Sequence, residues 1–311
     1  MIVTITPNPA MDESYLISDF LPGKWYRANE VARSPGGRGV NVSIILKQLG
    51  YDSVATGFLG GYTGSYIKHD LLSRGITTNF VNIKGETRAD TFIKDETTGI
   101  ETAITEEGPQ IFPDAAERFF WNLERILLPR ATAVYMGGSL PPGASEDFYK
   151  EAIDRVKKKN IPVYIDTSGT PLDLAIEALP TVVRIDQRFA GEMSDVTPGI
   201  LDHIMEVSKR IFNEGVDWIV TSYFNRASLF CTTKGFFLAE IKKCKSVVTY
   251  RAASDALTAG MIVAREERMG VEDTIKFCMS CMLQTVSCPQ KGLPSREDVE
   301  SSLGEVTVEK I

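Results

Sequence analysis

Histidine is nearly missing from this chain of 311 residues, occurring only as His69 and His203. Zinc sites draw mainly on His and Cys side chains, and nucleophilic triads usually need a His base, so the chain has almost no residues for either kind of site. The five cysteines, an odd number, all lie in the last third of the sequence. This usage is typical of reduced thiols in a cytoplasmic protein and excludes a disulfide framework as the basis of the fold.

A single C-x-x-C, formed by Cys278 and Cys281, has no second pair and no nearby histidine. It lies in a stretch with helical periodicity at 272–286. A metal or redox function stays an alternative, but the pattern favours two small hydrophobic residues facing the core.

Long apolar runs and an excess of positive charge are also missing. No apolar run approaches about 18 residues, and the first residues, MIVTITPNPAMD, lack the features of a signal peptide. The net charge is −7, whereas nucleic-acid binding depends on a basic surface. We therefore expect a cytoplasmic protein with neither nucleic acid nor a membrane as partner.

What the sequence does contain is a repeated alternation of short β-branched runs and helical patterns. Strands are predicted at IVTITP, SVATGFLG, AVYMGG, PVYIDTSG and DWIVTS. Helices are predicted at 40–50, 64–75, 113–128, 146–160 and 199–214. This order predicts an α/β fold with a largely parallel sheet and helices on both faces. Ligands of such folds bind at the carboxyl ends of the strands.

Two segments break this alternation. Residues 13–34 and 87–108 are extended and alternating, and the second contains a turn signal at Thr97, Thr98 and Gly99. They predict a small antiparallel sheet, inserted as a β lid over the site. The α/β core then comprises 1–12, 35–86 and 109–311.

A glycine cluster, SPGGRGVNVS at 34–43, precedes a predicted helix. Glycines allow close approach to a ligand, and Arg38 adds a charge that can bind a phosphate. The spacing matches neither the dinucleotide-binding nor the Walker pattern. An ordinary glycine-rich turn is the alternative.

Polar residues follow several predicted strands. Asn8 and Asp12 follow the first strand, Ser139 follows AVYMGG, and Asp166 ends PVYID. Asp12 could equally be a turn acid, and Arg88, at the entrance to the second lid segment, could be a solvated arginine. Their shared position at strand ends favours a common site.

The stretch YRAASDALTAG at 250–260 places Asp255 where a helix begins. Ser254 is the predicted N-cap. An acid in a first helical turn often only complements the helix dipole, so a structural and a catalytic interpretation both stand for Asp255 on these residues alone.

The motifs TPNPAMD, GGRGVN, ETR, GSLPPG and DTSG precede the Asp255 segment in an order and spacing that resemble the ribokinase-like (pfkB) carbohydrate kinases. The resemblance covers nearly the whole chain and is greatest to the branch containing 1-phosphofructokinase and tagatose-6-phosphate kinase. It implies a three-layer α/β/α domain with a small β lid. It also implies transfer of the ATP γ-phosphate to a hydroxyl of a sugar phosphate, with Mg²⁺.

The resemblance also implies roles for individual residues. Sugar-hydroxyl contacts fall on Asp12, Gly36, Gly37 and Asn41. Contacts to the substrate's own phosphate fall on Arg38 and Arg88, and Ser139 also faces the phosphosugar. Asp255 matches the catalytic base, and the anion hole around it corresponds to Ala252, Ala253 and Ser254.

The sequence departs from the family on the nucleotide side. The family has Gly-Ala-Gly-Asp where this chain has Ala252-Ala253-Ser254-Asp255, and both replaced glycines are expected to strain the loop. RIDQRF at 184–189 corresponds to Lys-Pro-Asn-x-x-Glu, so Asp186 replaces Asn and Phe189 replaces Glu. The stretch at 220–230, which contains Ser222, has no glycine.

Asp186 and Ser222 are the expected nucleotide contacts, and no metal ligand is assigned to the protein. Three functions remain open: a sugar-phosphate kinase with a rebuilt nucleotide site, a phosphosugar-binding protein that has lost kinase activity, or a kinase for another small substrate. Apolar side chains of the lid at Tyr15, Leu16, Trp25 and Phe92 could form a homodimer with a second copy of the chain, or could equally pack on their own core.

Overall fold

The computed structural model describes residues 1–186, 198–223, 227–242, 244, 249–288 and 292–311. The strands are β1 (Ile2–Thr6), β2 (Ala10–Ile17), β3 (Glu30–Gly36), β4 (Ser53–Leu59), β5 (Thr77–Thr78), β6 (Val81–Asn82), β7 (Arg88–Asp95), β8 (Glu101–Ile104), β9 (Ala133–Gly137), β10 (Val163–Asp166), β11 (Val182–Asp186), β12 (Trp218–Tyr223), β13 (Ala227–Thr232), β14 (Gly235–Ile241) and β15 (Val306–Lys310). The helices are α1 (Arg38–Gln48), α2 (Gly61–Ser73), α3 (Pro113–Asn122), α4 (Phe148–Lys157), α5 (Thr170–Glu177), α6 (Pro198–Glu214), α7 (Ala253–Glu266), α8 (Val271–Ser287) and α9 (Arg296–Ser301). All of the strands and helices predicted from the sequence are present.

The large sheet has the strand order β15-β14-β13-β12-β11-β10-β9-β1-β4-β5. Its pairs are parallel from β5 to β12 and antiparallel from β12 to β15. Strand β1 is central, with β4 on one side and β9 on the other. The strand order therefore reverses at β1, and ligands of such folds bind at the carboxyl ends of the strands beside this switch point.

Helices cover both faces of this sheet, which confirms the three-layer α/β/α fold. One large core cluster joins the sheet to α1, α7 and α8, and a second large cluster joins it to α3, α4 and α5. Helix α7 is buried through most of its length because its small residues let α8 approach. A Cβ on Gly260 would lie 3.0 Å from the Cα of Cys278 and 3.1 Å from the Sγ of Cys281.

Both of these cysteines are buried in the core, as predicted, and burial raises the pKa of the Cys278 thiol. They are packing residues of the α7–α8 contact. Among the helices of the described residues, none has the length and apolarity needed to cross a bilayer.

The second sheet, called the small sheet below, has the order β3-β2-β7-β8 and corresponds to the predicted lid. The pairs β2/β3 and β7/β8 are antiparallel, with a turn between β7 and β8 in which Gly99 has φ +73°. The central pair β2/β7 is parallel, which the alternating pattern did not predict. The reason is the long connection between these strands, which runs through the core and returns in the same direction.

Candidate active site

Helix α7 begins at Ala253, and its N-cap is Ala252 in the left-handed conformation, with φ +59° and ψ +2°. The prediction of Ser254 as the N-cap was wrong, because the first helical hydrogen bond already runs from the Ala256 N–H to the Ala252 carbonyl, at 2.8 Å. Ser254 and Asp255 therefore lie inside the first helical turn and are buried.

Only one of the two replaced glycines occupies a position that favours glycine. A left-handed conformation costs an L-residue such as Ala252 roughly 1–2 kcal/mol. Ser254 is helical and carries no such cost. The loop thus has the turn that a glycine would adopt easily, although an alanine stands there.

The carboxylate of Asp255 is 3% exposed and held from one side. Its Oδ2 accepts a hydrogen bond from the Nδ2 of Asn41 at 2.7 Å, while Oδ1 has no hydrogen-bond partner within the described residues. Burial raises the pKa of this carboxyl, against the opposing charge of Arg38. A fixed carboxylate with one unpartnered oxygen and a raised pKa is suited to accept a proton.

Four charged side chains form a buried chain of ion pairs beside Asp255. The Nη1 of Arg38 lies 3.0 Å from Oδ2 of Asp166, and the Nη1 of Arg184 lies 2.9 Å from the same oxygen. The Nη2 of Arg184 then reaches Oδ2 of Asp186 at 3.0 Å. The Arg184 side chain is 1% exposed, so its buried positive charge is compensated by these two carboxylates.

Sequence reasoning had not assigned a role to Arg184. The signal was present, because an arginine inside the otherwise apolar strand VVRID must either face solvent or find buried partners. Since the preceding strand β10 ends in Asp166, an acid at the neighbouring strand end was the natural candidate.

The glycine cluster packs directly against the end of β1. A Cβ on Gly36 would lie 2.0 Å from Oδ1 of Asp12, and one on Gly37, whose φ is +104°, would lie 2.7 Å from Cγ2 of Thr6. No larger residue fits either position without moving these partners. The cluster therefore fixes the buried Asp12 carboxylate at the base of the small sheet.

A second polar group joins the end of β1 to the loop after β9. The Nδ2 of Asn8 donates to the Glu107 carbonyl at 2.8 Å and to the Ser139 Oγ at 3.3 Å. The guanidinium of Arg88 donates to the Asn8 carbonyl, at 3.2 Å from Nη2, and to Oδ1 of Asp90, at 3.0 Å from Nη1. Most of its donors are thus already bonded, and its side chain is 13% exposed.

On β11 and β12, the two expected nucleotide contacts are neighbours. Asp186 and Ser222 are paired in register, and both are largely buried. The Oγ of Ser222 lies 3.4 Å from the Oγ of Ser228 on β13. The predicted change at Phe189 lies outside the described residues.

The predicted residues lie at the carboxyl ends of strands of the large sheet, on the small sheet and at the amino ends of α1 and α7, in two sets. The two sets are named here after their expected roles. We call Asn8, Asp12, Gly36, Gly37, Arg88 and Ser139 the sugar side. We call Arg184, Asp186, Ser222, Ala252, Ala253 and Ser254 the nucleotide side. Arg38 and Asn41 on α1 connect the two, through Asp166 and Asp255.

Comparison with known proteins identifies the family of the chain. A family model described as pfkB family carbohydrate kinase matches residues 10–298. The 1-phosphofructokinase of Bacillus subtilis (strain 168) is 29% identical over 311 residues, with 100% of both chains covered. A crystal structure from Thermotoga maritima, of a protein described as a possible 1-phosphofructokinase, is 30% identical with a TM-score of 0.91, covering 100% of this chain and 99% of that one.

The similarity to a more distant structure supports the fold alone. Phosphofructokinase-2 from Escherichia coli, in complex with substrates and products, is 21% identical with a TM-score of 0.85. The match covers 97% of this chain and 98% of that one.

Proposed function

Because the chain belongs to the pfkB family of carbohydrate kinases, we propose that it transfers the γ-phosphate of ATP to a hydroxyl of a sugar phosphate, with Asp255 as the general base. The observation that carries this proposal is the Asp255 carboxylate, buried at the start of α7, with one oxygen held by Asn41 and the other without a hydrogen-bond partner among the described residues.

In the proposed reaction, the substrate hydroxyl gives its proton to Oδ1 of Asp255 as its oxygen forms a bond to the γ-phosphorus. The bond between that phosphorus and the bridging oxygen of ADP breaks in line. Asn41 keeps the carboxylate oriented. The amino end of α7 favours the negative charge of the phosphoryl group through its partial positive charge.

Fructose-1-phosphate is the acceptor we propose first. Two relatives at 29–30% identity are described as a 1-phosphofructokinase and a possible 1-phosphofructokinase, each over nearly its whole length. Arg38, Arg88 and Ser139 are the proposed contacts for the phosphate that the substrate already carries, and Asp12, Gly36, Gly37 and Asn41 those for its hydroxyls. The partly exposed side chain of Arg38 suits a second anion, since an arginine can bind two acceptors at once.

Mg²⁺ is proposed to enter with the nucleotide. In the part of the chain that the structure describes, no three His, Cys, Asp or Glu side chains are grouped to hold a metal ion. In phosphoryl transfer Mg²⁺ is commonly held by the phosphates and only one or two carboxylates. Asp186, at the carboxyl end of β11, is the proposed carboxylate, and binding the ion there would compete with its ion pair to Arg184. Bound there, the ion would neutralise negative charge on the phosphates.

A phosphosugar-binding function without catalysis is the second candidate. It is favoured by the nucleotide side, where Asp186 is paired with Arg184 and the 220–230 stretch has no glycine. The left-handed Ala252 favours the kinase, because the turn at the amino end of α7 is kept.

A coupled phosphoryl-transfer assay distinguishes these functions. Purified protein with ATP and Mg²⁺ is tested against fructose-1-phosphate, fructose-6-phosphate and tagatose-6-phosphate, with Asp255→Asn as the control. We expect product with fructose-1-phosphate and its loss in the variant. Sugar-phosphate binding without product from ATP or GTP would support the binding protein instead.

We also propose that the small sheet pairs with a second copy of the chain. Trp25, between β2 and β3, is fully exposed, and Val31 and Ile104 on the outer strands are 49% and 59% exposed. Sedimentation velocity of the wild type and of Trp25→Ser would test this. A monomer at micromolar concentration in both would contradict it.

A further inference from the structure

We infer that Arg251 is a positioning residue that fixes the small sheet to the loop carrying Asp255. Its side chain leaves the chain immediately before the left-handed Ala252 and reaches three strands of the small sheet. Its catalytic consequence rests on the proposed kinase function, whereas the contact itself does not.

Each of the three strands contributes one contact. The Nη1 of Arg251 donates to the Oγ of Ser14 on β2 at 2.7 Å. Its guanidinium carbon lies 4.5 Å from the ring centre of Phe92 on β7, and its Nε lies 3.5 Å from Oε2 of Glu101 on β8. A hydrogen bond, a cation–π contact and an ion pair therefore converge on one side chain.

The strand register makes these contacts part of one face. Ser14 is paired with Phe92, and Lys94 is paired with Glu101. Asp12 lies two residues before Ser14 on β2 and so belongs to the same face. Arg251 therefore contacts the face of the small sheet that carries a residue of the sugar side.

The other end of Arg251 is held as well. Its backbone N–H donates to the Oγ1 of Thr249 at 3.1 Å, and its Nε lies 3.3 Å from the same oxygen. The side chain is 24% exposed and lines a cleft of about 640 Å³ between the small sheet and α1. Because Arg251 is held both near its backbone and at its guanidinium, movement of the small sheet and movement of the Ala252 turn should be coupled.

The consequence concerns the distance between Asp12 and Asp255. The first is fixed to the small sheet and the second to α7, and Arg251 lies four residues before Asp255 along the chain. Reaction requires the sugar held at Asp12 to present its hydroxyl to Asp255, and small displacements of reacting groups cost rate. Arg251 thus aligns the two without touching the reacting atoms.

Amide hydrogen exchange tests the contact without needing activity. In Arg251→Met, exchange of residues 88–104 should become about 10-fold faster, as expected when a charge-assisted hydrogen bond is lost. Arg251→Lys should restore part of the protection. The matched control is Arg33→Ala, which removes an arginine paired with Glu13 within the small sheet, and it should leave this exchange within about 2-fold of wild type.

A double variant tests whether the contacts act together. Phe92→Leu should add little further exchange in an Arg251→Met background, because the partner is already gone. Fully additive effects, or unchanged exchange in Arg251→Met, would overturn the proposal.

Kinetic measurements distinguish a positioning role of Arg251 from direct binding of the nucleotide. We expect Arg251→Met to lower kcat by about 10-fold and to raise the KM for the sugar phosphate, with the pH profile and the nucleotide KM unchanged. A rise in nucleotide KM alone, with wild-type exchange in the small sheet, would mean that Arg251 binds the nucleotide. If no phosphoryl transfer occurs in the wild type, the proposed function fails while the exchange measurement still decides the contact.

Discussion

On the sugar side, the main chain of the glycine cluster packs directly against β1 and the small sheet. On the nucleotide side, charged side chains from separate strands hold the site together. Gly36 and Gly37 leave no space for a side chain between themselves and Asp12 or Thr6. Arg184 instead joins Asp166 and Asp186 through its guanidinium. The first arrangement tolerates almost no substitution, and the second can change by exchanging pairs of charges.

Asp255 lies between the two sides, and its replacement should have the largest effect on either. Asp255→Asn keeps the shape and the contact with Asn41 but cannot accept a proton. We expect phosphoryl transfer to fall by about 10²–10⁴-fold, the range typical of a lost general base. The measurement is kcat at saturating substrates, and a variant with more than a tenth of wild-type turnover would contradict the assignment.

The pH dependence of the wild type sharpens this prediction. Burial raises the pKa of Asp255, and the base must be ionised, so turnover should fall as pH drops through that raised pKa. The raised pKa also makes the folded state less stable at neutral pH than at low pH. Protonated Asp255 favours the folded state fully below the unfolded pKa of about 3.9, and this stabilisation is lost as pH rises through the folded pKa. Asp255→Asn should therefore be more stable than the wild type at pH 7.

Removal of the Arg184 side chain should break the nucleotide side. Arg184→Met leaves Asp166 and Asp186 buried without their shared cation, which is expected to lower the free energy of unfolding by about 3–5 kcal/mol. Urea denaturation measures this change. The matched control is Arg74→Met, which removes a surface pair with Asp70 and should cost less than about 0.5 kcal/mol. Equal effects of the two variants would show that the buried chain is not stabilising.

A methyl group on Gly36 should damage the sugar side alone. Gly36→Ala places its Cβ against Oδ1 of Asp12, which must move. We expect the KM for the sugar phosphate to rise about 10-fold, with little change in nucleotide KM. The control is Gly304→Ala, where nothing lies within 4 Å of the added Cβ. If Gly36→Ala instead raised the nucleotide KM, the division into two sides would be wrong.

Ala252→Gly should give the smallest effect and the opposite sign. Glycine adopts the left-handed conformation without a Cβ clash, so the free energy of unfolding should rise by about 1 kcal/mol. The neighbouring Ala253→Gly is helical and should lower it by about 0.5–1 kcal/mol. Thermal denaturation of both variants compares them directly, and destabilisation by Ala252→Gly would contradict the left-handed turn.

The same difference between the two sides explains which features could be predicted from the sequence alone. The alternation of strands and helices predicted a largely parallel sheet with helices on both faces, and GGRGVN indicated a glycine-rich turn before α1 because glycine has a local backbone function. The pairing of β2 with β7 depends on a long connection, and the role of Arg184 depends on partners in other strands. Such contacts between distant segments leave no local pattern, and the same holds for Arg251 and its contacts with Ser14, Phe92 and Glu101.

The N-cap of α7 shows the limit at a single residue. Ser254 has a side chain that commonly caps helices, so the local pattern favoured it. Alanine at 252 has no such side chain, yet it turns the chain with φ +59°. The surrounding packing decides the conformation there, and sequence propensity alone does not predict it.

The most direct test of whether the rebuilt nucleotide side still functions is isothermal titration calorimetry of Mg-ATP into the Asp255→Asn variant, which should bind substrates without turnover. The experiment is run with and without saturating fructose-1-phosphate. We predict a measurable nucleotide affinity in both, with a stronger one when the sugar phosphate is bound. Binding of fructose-1-phosphate with no heat from Mg-ATP or Mg-GTP under either condition would contradict the kinase and leave a phosphosugar-binding protein.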